Sequence, residues 1–277
     1  MHIIRLFGLL FLVSTIFQSC SKIEHKQLLY TIDLDSLMNI QNARPFTCTG
    51  LAYNSVLHEW YVGNIGISKP EAGQINSSIE VFNEDFTQWL RSIELAQIFP
   101  NMVDVQGLSI DSTDGSLWVC SYAEDLLRKI DVRPHQQHNM STQSITQEEY
   151  LLDSLHITRP TGVTHSDEYC WILTPDSLLQ INRAKKSIRT IAVAEKAQDQ
   201  IAIHNDEIFI TYGNDYSNNQ FLLQIDTRQE NRRRKFELEG SYAVEGIVIR
   251  DSLIYVANDG FYHSAKNPKN IICVYKL

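Results

Sequence analysis

One short phrase recurs five times along the chain, and it limits the fold more than any other feature. Each copy places a glycine, or once a glutamine, at the start of a small apolar run. A short polar turn and a second apolar run with an aromatic residue follow. The first runs are residues 49–53 (TGLAY), 106–110 (QGLSI), 161–165 (TGVTH), 199–203 (DQIAI) and 245–249 (EGIVI). The second runs are residues 60–62 (WYV), 117–119 (LWV), 170–172 (CWI), 208–210 (IFI) and 254–256 (IYV). Such self-similarity indicates several copies of one supersecondary unit.

The runs themselves have the composition of β-strands. They are short, rich in Val, Ile, Leu and aromatic residues, and separated by Asn, Asp, Ser and Gly. The equivalent positions 50, 107, 162, 200 and 246 are 57, 55, 38 and 46 residues apart. Units of about 40–50 residues predict the four-stranded blades of a β-propeller. We therefore expect an all-β domain of five four-stranded blades, with a sixth blade inside one of the two longest spacings as the alternative.

The fifth unit is one strand short, which suggests how the ring closes. Its apolar runs are residues 244–250, 253–257 and 271–275, after which the sequence stops. Residues 28–34 form an unassigned apolar run before the first unit. Placing that run as the outer strand of the last blade would close the ring and remove an open sheet edge. The predicted domain therefore spans residues 28–277.

The first residues read as an export signal. Leu6 to Phe17 is an almost unbroken apolar run, long enough for a secretory signal and too short for a membrane span. It is followed by Ser19 and Cys20, which resemble the cleavage site of a bacterial lipoprotein, of the type found in Bacteroidetes. We expect a signal peptide at 1–19, lipidation of Cys20 with a linker to residue 27, and anchoring to a bacterial membrane on the periplasmic or surface side. The alternative is an ordinary cleaved signal with an incidental cysteine.

Charge and cysteine content exclude other classes of protein. The formal net charge of −9 argues against binding a nucleic-acid backbone. The one basic run, 232–234, fits a solvated strand edge. No two of the remaining cysteines, Cys48, Cys120, Cys170 and Cys273, form a C-x-x-C pair. A zinc site is therefore not expected, and buried free thiols are favoured over disulfides. We expect a monomer.

Polar residues beside the repeated glycines are the candidates for function. Propellers bind ligands at a mouth of the central channel, where the inner strands begin and the second strands end. The candidate binding residues at these places are Glu245, Asp199, Asp104, Gln106, Asn64, Asn214, Asn258 and Asp259. Their carboxylate and amide oxygens would suit Ca²⁺, or a polyhydroxylated or cationic small molecule. The alternative is that Asn and Asp simply cap turns at strand ends. Glu245 has no turn to make and is the strongest candidate.

The inner strands also resemble a known family. The runs 105–110 (VQGLSI), 244–248 (VEGIV) and 254–259 (IYVAND) are similar to the SdiA-regulated group of bacterial propellers, and more distantly to NHL and SMP-30/gluconolactonase-like propellers. The lactonase-like resemblance implies one divalent metal held in the channel by Glu, Asn and Asp residues. Only Glu245 lies in a comparable Glu-Gly context, and it lies in the last unit rather than the first.

Three functions follow from these observations. The first is a lipid-anchored envelope propeller that binds a small ligand or a protein partner at the channel mouth without catalysis. The second is a calcium-dependent lactonase or esterase-like hydrolase. The third is a protein-interaction scaffold. No Ser-His-Asp order, glycosidase carboxylate pair or phosphate-binding loop stands out, so no catalytic residue is assigned.

Overall fold

The computed structural model describes residues 23–38, 46–65, 77–99, 102, 104–132, 157–193, 198–213, 219–259 and 269–277. The chain starts with strands β1 (Glu24–Lys26) and β2 (Leu28–Asp33) and helix α1 (Leu34–Met38). Blade 1 contains β3 (Cys48–Asn54), β4 (Glu59–Asn64), β5 (Ser78–Asn83) and β6 (Trp89–Glu94), and helix α2 (Leu95–Ile98) follows it. Blade 2 contains β7 (Val105–Ile110), β8 (Leu117–Ser121) and β9 (Leu126–Ile130).

The second half of the chain repeats this plan. Blade 3 contains β10 (Gly162–His165), β11 (Tyr169–Leu173), β12 (Ser177–Asn182) and β13 (Ile188–Ala192). Blade 4 contains β14 (Gln198–His204), β15 (Glu207–Gly213), β16 (Gln220–Asp226) and β17 (Arg233–Leu238). Blade 5 contains β18 (Val244–Arg250), β19 (Leu253–Asp259) and β20 (Asn270–Lys276). No helix among the described residues is long and apolar enough to cross a membrane.

The predicted five-bladed propeller is confirmed. Each blade is an antiparallel meander in which the strand with the repeated phrase is innermost. Inner strands of consecutive blades contact one another in the order β3, β7, β10, β14 and β18, and β18 returns to β3. Five blades therefore complete the ring, and the sixth-blade alternative is dropped. The fourth strand expected near residues 150–155 in blade 2 lies outside the described residues.

The N-terminal strand closes the ring as the sequence indicated. β2 pairs antiparallel with β20, with Thr31 opposite Cys273 and Ile32 opposite Ile272, and so becomes the outer strand of blade 5. The preceding strand was not expected. Residues 24–26, placed in the linker from sequence, form β1, which pairs in parallel with β17 on the outside of blade 4. A three-residue charged strand has no hydrophobic period by which it could be recognised.

Close contact between neighbouring inner strands explains the repeated glycine. A Cβ added to Gly50 would lie 2.2 Å from the carbonyl oxygen of Gln106, and one added to Gly246 would lie 2.5 Å from the amide nitrogen of Leu51. One added to Gly107 would lie 2.8 Å from the Cα of Gly162. Only glycine allows backbones to approach this closely. The glycines are therefore packing devices at the blade junctions.

The fourth copy, which has Gln200 in place of glycine, uses a different contact. The Thr211 hydroxyl accepts a hydrogen bond from the Gln200 N–H (3.1 Å) and donates to the carbonyl oxygen of Glu245 (2.8 Å). It thereby links the inner strand of blade 4 to that of blade 5. A side-chain bridge replaces direct backbone contact at this junction.

The aromatic residues of the second strands fill the space between blades. Trp60, Trp118, Trp171 and Phe209 are almost completely buried. They join aliphatic residues of the adjacent blade; Trp171, for example, packs in one cluster with Ile201 and Ile210 of blade 4. Buried aromatic residues of this size dominate core energetics. The core is thus a series of layers between blades.

We expect Gly50→Ala to destabilise the propeller strongly, because its Cβ would collide with the main chain of blade 2 rather than with a movable side chain. Overpacking of this kind costs about 1–3 kcal/mol, and more where backbone must shift. Urea denaturation of the propeller domain measures the loss of unfolding free energy.

Val56→Ala is the matched control, because Val56 is 78% exposed. It should change the unfolding free energy by less than about 0.5 kcal/mol. Equal stability of the Gly50→Ala variant and the unsubstituted protein would contradict the close-contact explanation.

Candidate functional site

In four of the five blades, the polar residue before the repeated glycine, or before Gln200 in blade 4, lies at a bulge in the inner strand. In blade 1, Cys48 is opposite Asn64 but Leu51 is opposite Val62, so the inner strand carries one extra residue between them. The same register shift occurs between β7 and β8, β14 and β15, and β18 and β19. A bulge leaves its extra residue unpaired and re-aims its side chain. The fold therefore repeats one irregularity at the same level of several inner strands.

Glu245 occupies the bulge of blade 5, and its side chain is buried. It lies near two other groups at the junction of blades 5 and 1. Burial raises the pKa of the Cys48 thiol well above its usual value, and the negative charges of Asp259 and Glu245 raise it further. The Cys48 thiol also donates to the carbonyl oxygen of Asn258 (3.1 Å). The charges of two of the predicted carboxylates thus act on the same buried thiol.

Asp104 and Gln106 form a second group, at the entrance to blade 2. Gln106 Nε2 donates to Asp104 Oδ1 at 2.9 Å. Burial raises the pKa of the Asp104 carboxyl in spite of this bond, and the nearby charge of Glu124 acts in the same direction. Both side chains are half-buried. The Ala123 backbone N–H also bonds to this carboxyl. A half-buried carboxyl with these two donors keeps acceptor capacity for a cation or hydroxyl group.

Asn64 and Asn258 have structural partners. They occupy equivalent positions, opposite Cys48 and Val244, at the ends of the second strands. Asn64 Oδ1 accepts from the Thr47 N–H (3.0 Å), and Asn258 Oδ1 accepts from the Tyr242 N–H (2.9 Å). These amides hold the chain as it enters an inner strand, which matches the turn-capping alternative. Asn214, another candidate, lies outside the described residues.

The side chains at the remaining positions before the glycine, or before Gln200, differ from blade to blade. Thr49 Oγ1 donates to the carbonyl oxygen of Val105 (2.8 Å) and helps to join blades 1 and 2. Asp199 is half-buried in β14. Thr161 Oγ1 is buried and has no hydrogen-bond partner in the described part of the protein, and the same is true of Gln200 Nε2. These two atoms lie at the inner strands of adjacent blades, since Gln200 Oε1 is 2.8 Å from where a Cβ on Gly162 would be.

Gln200 is the site residue that sequence reasoning missed. It was recorded only as the exception to the glycine repeat, and that departure was itself the available signal. Buried polar atoms are almost always hydrogen-bonded, and exceptions in native proteins commonly mark an unseen water, ion or ligand. The inner ring at blades 3 and 4 therefore has hydrogen-bonding capacity that the described residues leave unused.

A metal centre made from three carboxylates is not assembled in the described residues. Over these ranges, no group of three or more His, Cys, Asp or Glu side chains is arranged to hold a metal ion. Glu245 and Asp199 occupy equivalent bulge positions, and Asp104 precedes β7, but the three do not form such a group. Calcium binding stays a prediction of the sequence.

The opposite end of blades 2 and 3 holds a buried charged network that the sequence did not indicate. Asp111 is fully buried and accepts two bonds from the Arg183 guanidinium, at 2.6 and 3.1 Å, and one from Trp118 Nε1 at 3.2 Å. His165 packs on the Trp118 ring, and its Nδ1 lies 3.4 Å from Ser109 Oγ.

This arrangement is not a catalytic triad. No hydrogen bond joins Asp111 to His165, and His165 Nε2 has no partner among the described residues. The Asp111 carboxylate is instead neutralised by Arg183. The network joins blades 2 and 3, and its role is structural.

Comparison with known proteins shows the fold but not a family. No family model matches the chain, and no curated protein matches it. Among solved structures, the chain is similar to one titled a nidogen/laminin complex (TM-score 0.51, 10% identity, covering 76% of this chain and 72% of that one). It is similar to a gluconolactonase from Xanthomonas campestris (TM-score 0.51, 10% identity, 78% and 71%). A luciferin-regenerating enzyme gives TM-score 0.50 at 10% identity, covering 90% and 95%. At these identities the likeness extends to the propeller fold alone.

We expect acid to destabilise the protein through His165. Burial lowers the pKa of this imidazole to about 3, against an ordinary value near 6.5. Because the folded state binds the proton more weakly than the unfolded state, stability is full above about pH 6.5 and falls as the pH drops from there toward 3. The single group accounts for a loss of about 1 kcal/mol between pH 7 and 5.5.

The measurement is the unfolding free energy of the protein and of His165→Phe at both pH values. The variant should lose less stability than the parent on acidification, by about that amount. Identical pH dependence in the two proteins would contradict a buried neutral imidazole.

Proposed function

We propose that this chain is an exported, lipid-anchored propeller of the bacterial cell envelope that binds a small polar ligand at the channel mouth without catalysis. The observation that carries the proposal is the polar ring at the bulges of the inner strands. Within it, Glu245 is buried, and Thr161 Oγ1 and Gln200 Nε2 are buried without partners among the described residues. A ligand rich in hydrogen-bonding groups would satisfy these atoms.

The chemistry of the ring indicates the class of ligand. Carboxylates at Glu245, Asp259 and Asp104 favour a cation or a hydroxyl donor, while the amide of Gln200 and the hydroxyl of Thr161 supply neutral donors. The formal charge of −9 disfavours anions. A polyhydroxylated compound or an organic amine therefore fits better than a phosphate or a nucleic acid. The alternative is a protein partner that inserts a hydroxyl or amino group into the same site.

The absence of catalysis is part of this proposal. At the mouth, the described residues bring no nucleophile into contact with a base, and the Cys48 thiol is buried with its pKa raised, which makes it unreactive. These polar groups bind a ligand and do not catalyse its conversion.

The lipid anchor and the resemblance to the SdiA-regulated propellers complete the proposal. The apolar run that ends before Cys20 supports export and acylation, and the VEGIV and IYVAND runs support placement with the SdiA-regulated propellers. Two or more acyl chains give stable membrane attachment, whereas one gives only marginal binding.

We expect a ligand panel to identify a compound that stabilises the protein through Glu245. The panel contains monosaccharides, sugar acids and polyamines, and the readout is the melting temperature. A ligand at one hundred times its dissociation constant stabilises a protein by about 2.7 kcal/mol. Glu245→Gln should remove most of the shift, and Glu239→Gln, on an exposed residue of the outer edge, should keep it.

Two results would contradict this site. One is an unchanged shift in Glu245→Gln. The other is a rise in melting temperature with calcium alone that Glu245→Gln abolishes, which would favour the metal-dependent hydrolase.

We expect Cys20→Ser to release the protein from membranes in cell fractionation and to abolish incorporation of labelled palmitate, since the acyl chains would have no attachment site. Ser21→Ala is the control and should stay in the membrane fraction. Continued membrane attachment of Cys20→Ser would contradict lipid anchoring.

A further inference from the structure

The N-terminal strands form the outermost layer of two adjacent blades. β1 pairs in parallel with β17 of blade 4, and after one intervening residue β2 pairs antiparallel with β20 of blade 5. Lys26 Nζ donates to the carbonyl oxygen of Lys276 (3.0 Å), and Leu28 packs with the core between blades 4 and 5. The start of the domain is therefore held rigidly at the rim of the propeller.

Three large apolar side chains are exposed on these strands within eight residues. Ile23 is 42% exposed, Leu29 is 51% exposed and Tyr30 is 47% exposed. Leu29 has no cross-strand partner, because Leu28 is opposite Tyr275 while Tyr30 is opposite Val274, so it is the extra residue of a bulge. Single exposed apolar residues need no explanation, but a cluster of them marks an interaction site.

The basic run of the sequence lies on the same edge. Arg232, just before β17, and Arg234, within it, are exposed and precede the residues of β17 that pair with β1. Arg234 contacts Glu24 of β1 (2.7 Å), which shows that the two strands share this edge. Glu24 pairs with Arg234, and Arg232 adds an exposed positive charge near the place where the chain enters the fold. We call the surface formed by Ile23, Leu29, Tyr30, Arg232 and Arg234 the anchor edge.

We propose that the anchor edge lies on the phospholipid headgroups of the membrane that holds the Cys20 lipid, an inference that rests on the lipid anchor of the proposed function. Two residues, Ser21 and Lys22, separate Cys20 from Ile23, which limits the two Cα atoms to about 10 Å apart. The headgroup region is about 5–8 Å deep on each side of a bilayer. The tether therefore keeps Ile23 within the headgroup layer or directly above it.

The composition of the anchor edge matches this occupant. Leucine and isoleucine side chains enter the boundary between headgroups and acyl chains, and tyrosine favours the interface because its ring is apolar and its hydroxyl is polar. Arginines beside them pair with anionic headgroups. Because the outer strands form the rim of a propeller, this contact turns the channel axis roughly parallel to the membrane. Both channel mouths then open to the aqueous phase, where a soluble ligand can reach them.

The test places a fluorescent label at the anchor edge of the full lipidated protein. Leu29→Cys is labelled and compared with Val56→Cys, which is also exposed and apolar but lies in the turn between β3 and β4. The four native cysteines in the described residues are buried, so a thiol-reactive dye selects the introduced one. Each protein is reconstituted in vesicles of phosphatidylethanolamine and phosphatidylglycerol that contain lipids with brominated acyl chains, which quench a dye near the bilayer.

We expect the label at position 29 to lose most of its emission in brominated vesicles and the label at position 56 to keep its emission. Replacing phosphatidylglycerol by phosphatidylcholine, or introducing Arg232→Ser with Arg234→Ser, should weaken the quenching at position 29. If the protein sediments with vesicles but position 29 is not quenched, the anchor-edge contact is wrong and the lipid anchor stands. If the protein does not sediment with vesicles, the lipid anchor itself fails, and the contact inferred from it fails as well.

Discussion

The contact between backbones of neighbouring inner strands is the interaction on which the rest of this structure depends. It brings the strands so close that a Cβ at Gly50, Gly107 or Gly246 would overlap main-chain or neighbouring side-chain atoms. Four such junctions, and the Thr211 bridge at the fifth, set the radius of the ring, and the ring sets the spacing at which aromatic residues of the second strands fill the gaps between blades. Closure by β2 then covers the last open edge. Because each blade packs on both of its neighbours, loss of one junction destabilises the whole ring.

The same close approach creates the candidate site. An inner strand is paired with the second strand of its own blade on one side and crowded by the neighbouring inner strand on the other. A regular strand has no position there for a polar side chain, and the bulge beside the glycine provides that position. Where the glycine is kept, the preceding side chain is paired within the fold, as Thr49 is, buried near another acid, as Glu245 is, or buried without a partner in the described residues, as Thr161 is. Where glycine is lost, at Gln200, an amide donor is left without a partner in the described residues. Structural need and binding capacity thus arise from one local irregularity.

Much of the fold could be predicted because its information is local and repeated. The glycine phrase, the strand lengths and the missing strand of the fifth unit indicated the blades and their closure without any long-range contact. Strand β1 was not predicted because its three charged residues show no hydrophobic periodicity. The ion pair of Asp111 with Arg183 was not predicted, because the two residues belong to different blades and come together only when the blades pack. Asn64 and Asn258 were placed correctly at strand ends, but only coordinates reveal that backbone N–H groups occupy their side-chain oxygens.

A high-resolution crystal structure of the propeller domain tests the central claim most directly. That claim is that the inner ring at blades 3 and 4 has hydrogen-bonding capacity that is reserved for something other than the protein. The account predicts ordered water or ligand density within hydrogen-bonding distance of Thr161 Oγ1 and Gln200 Nε2. Density in which both side chains turn to bond protein atoms, with no solvent or ligand between them, would contradict it.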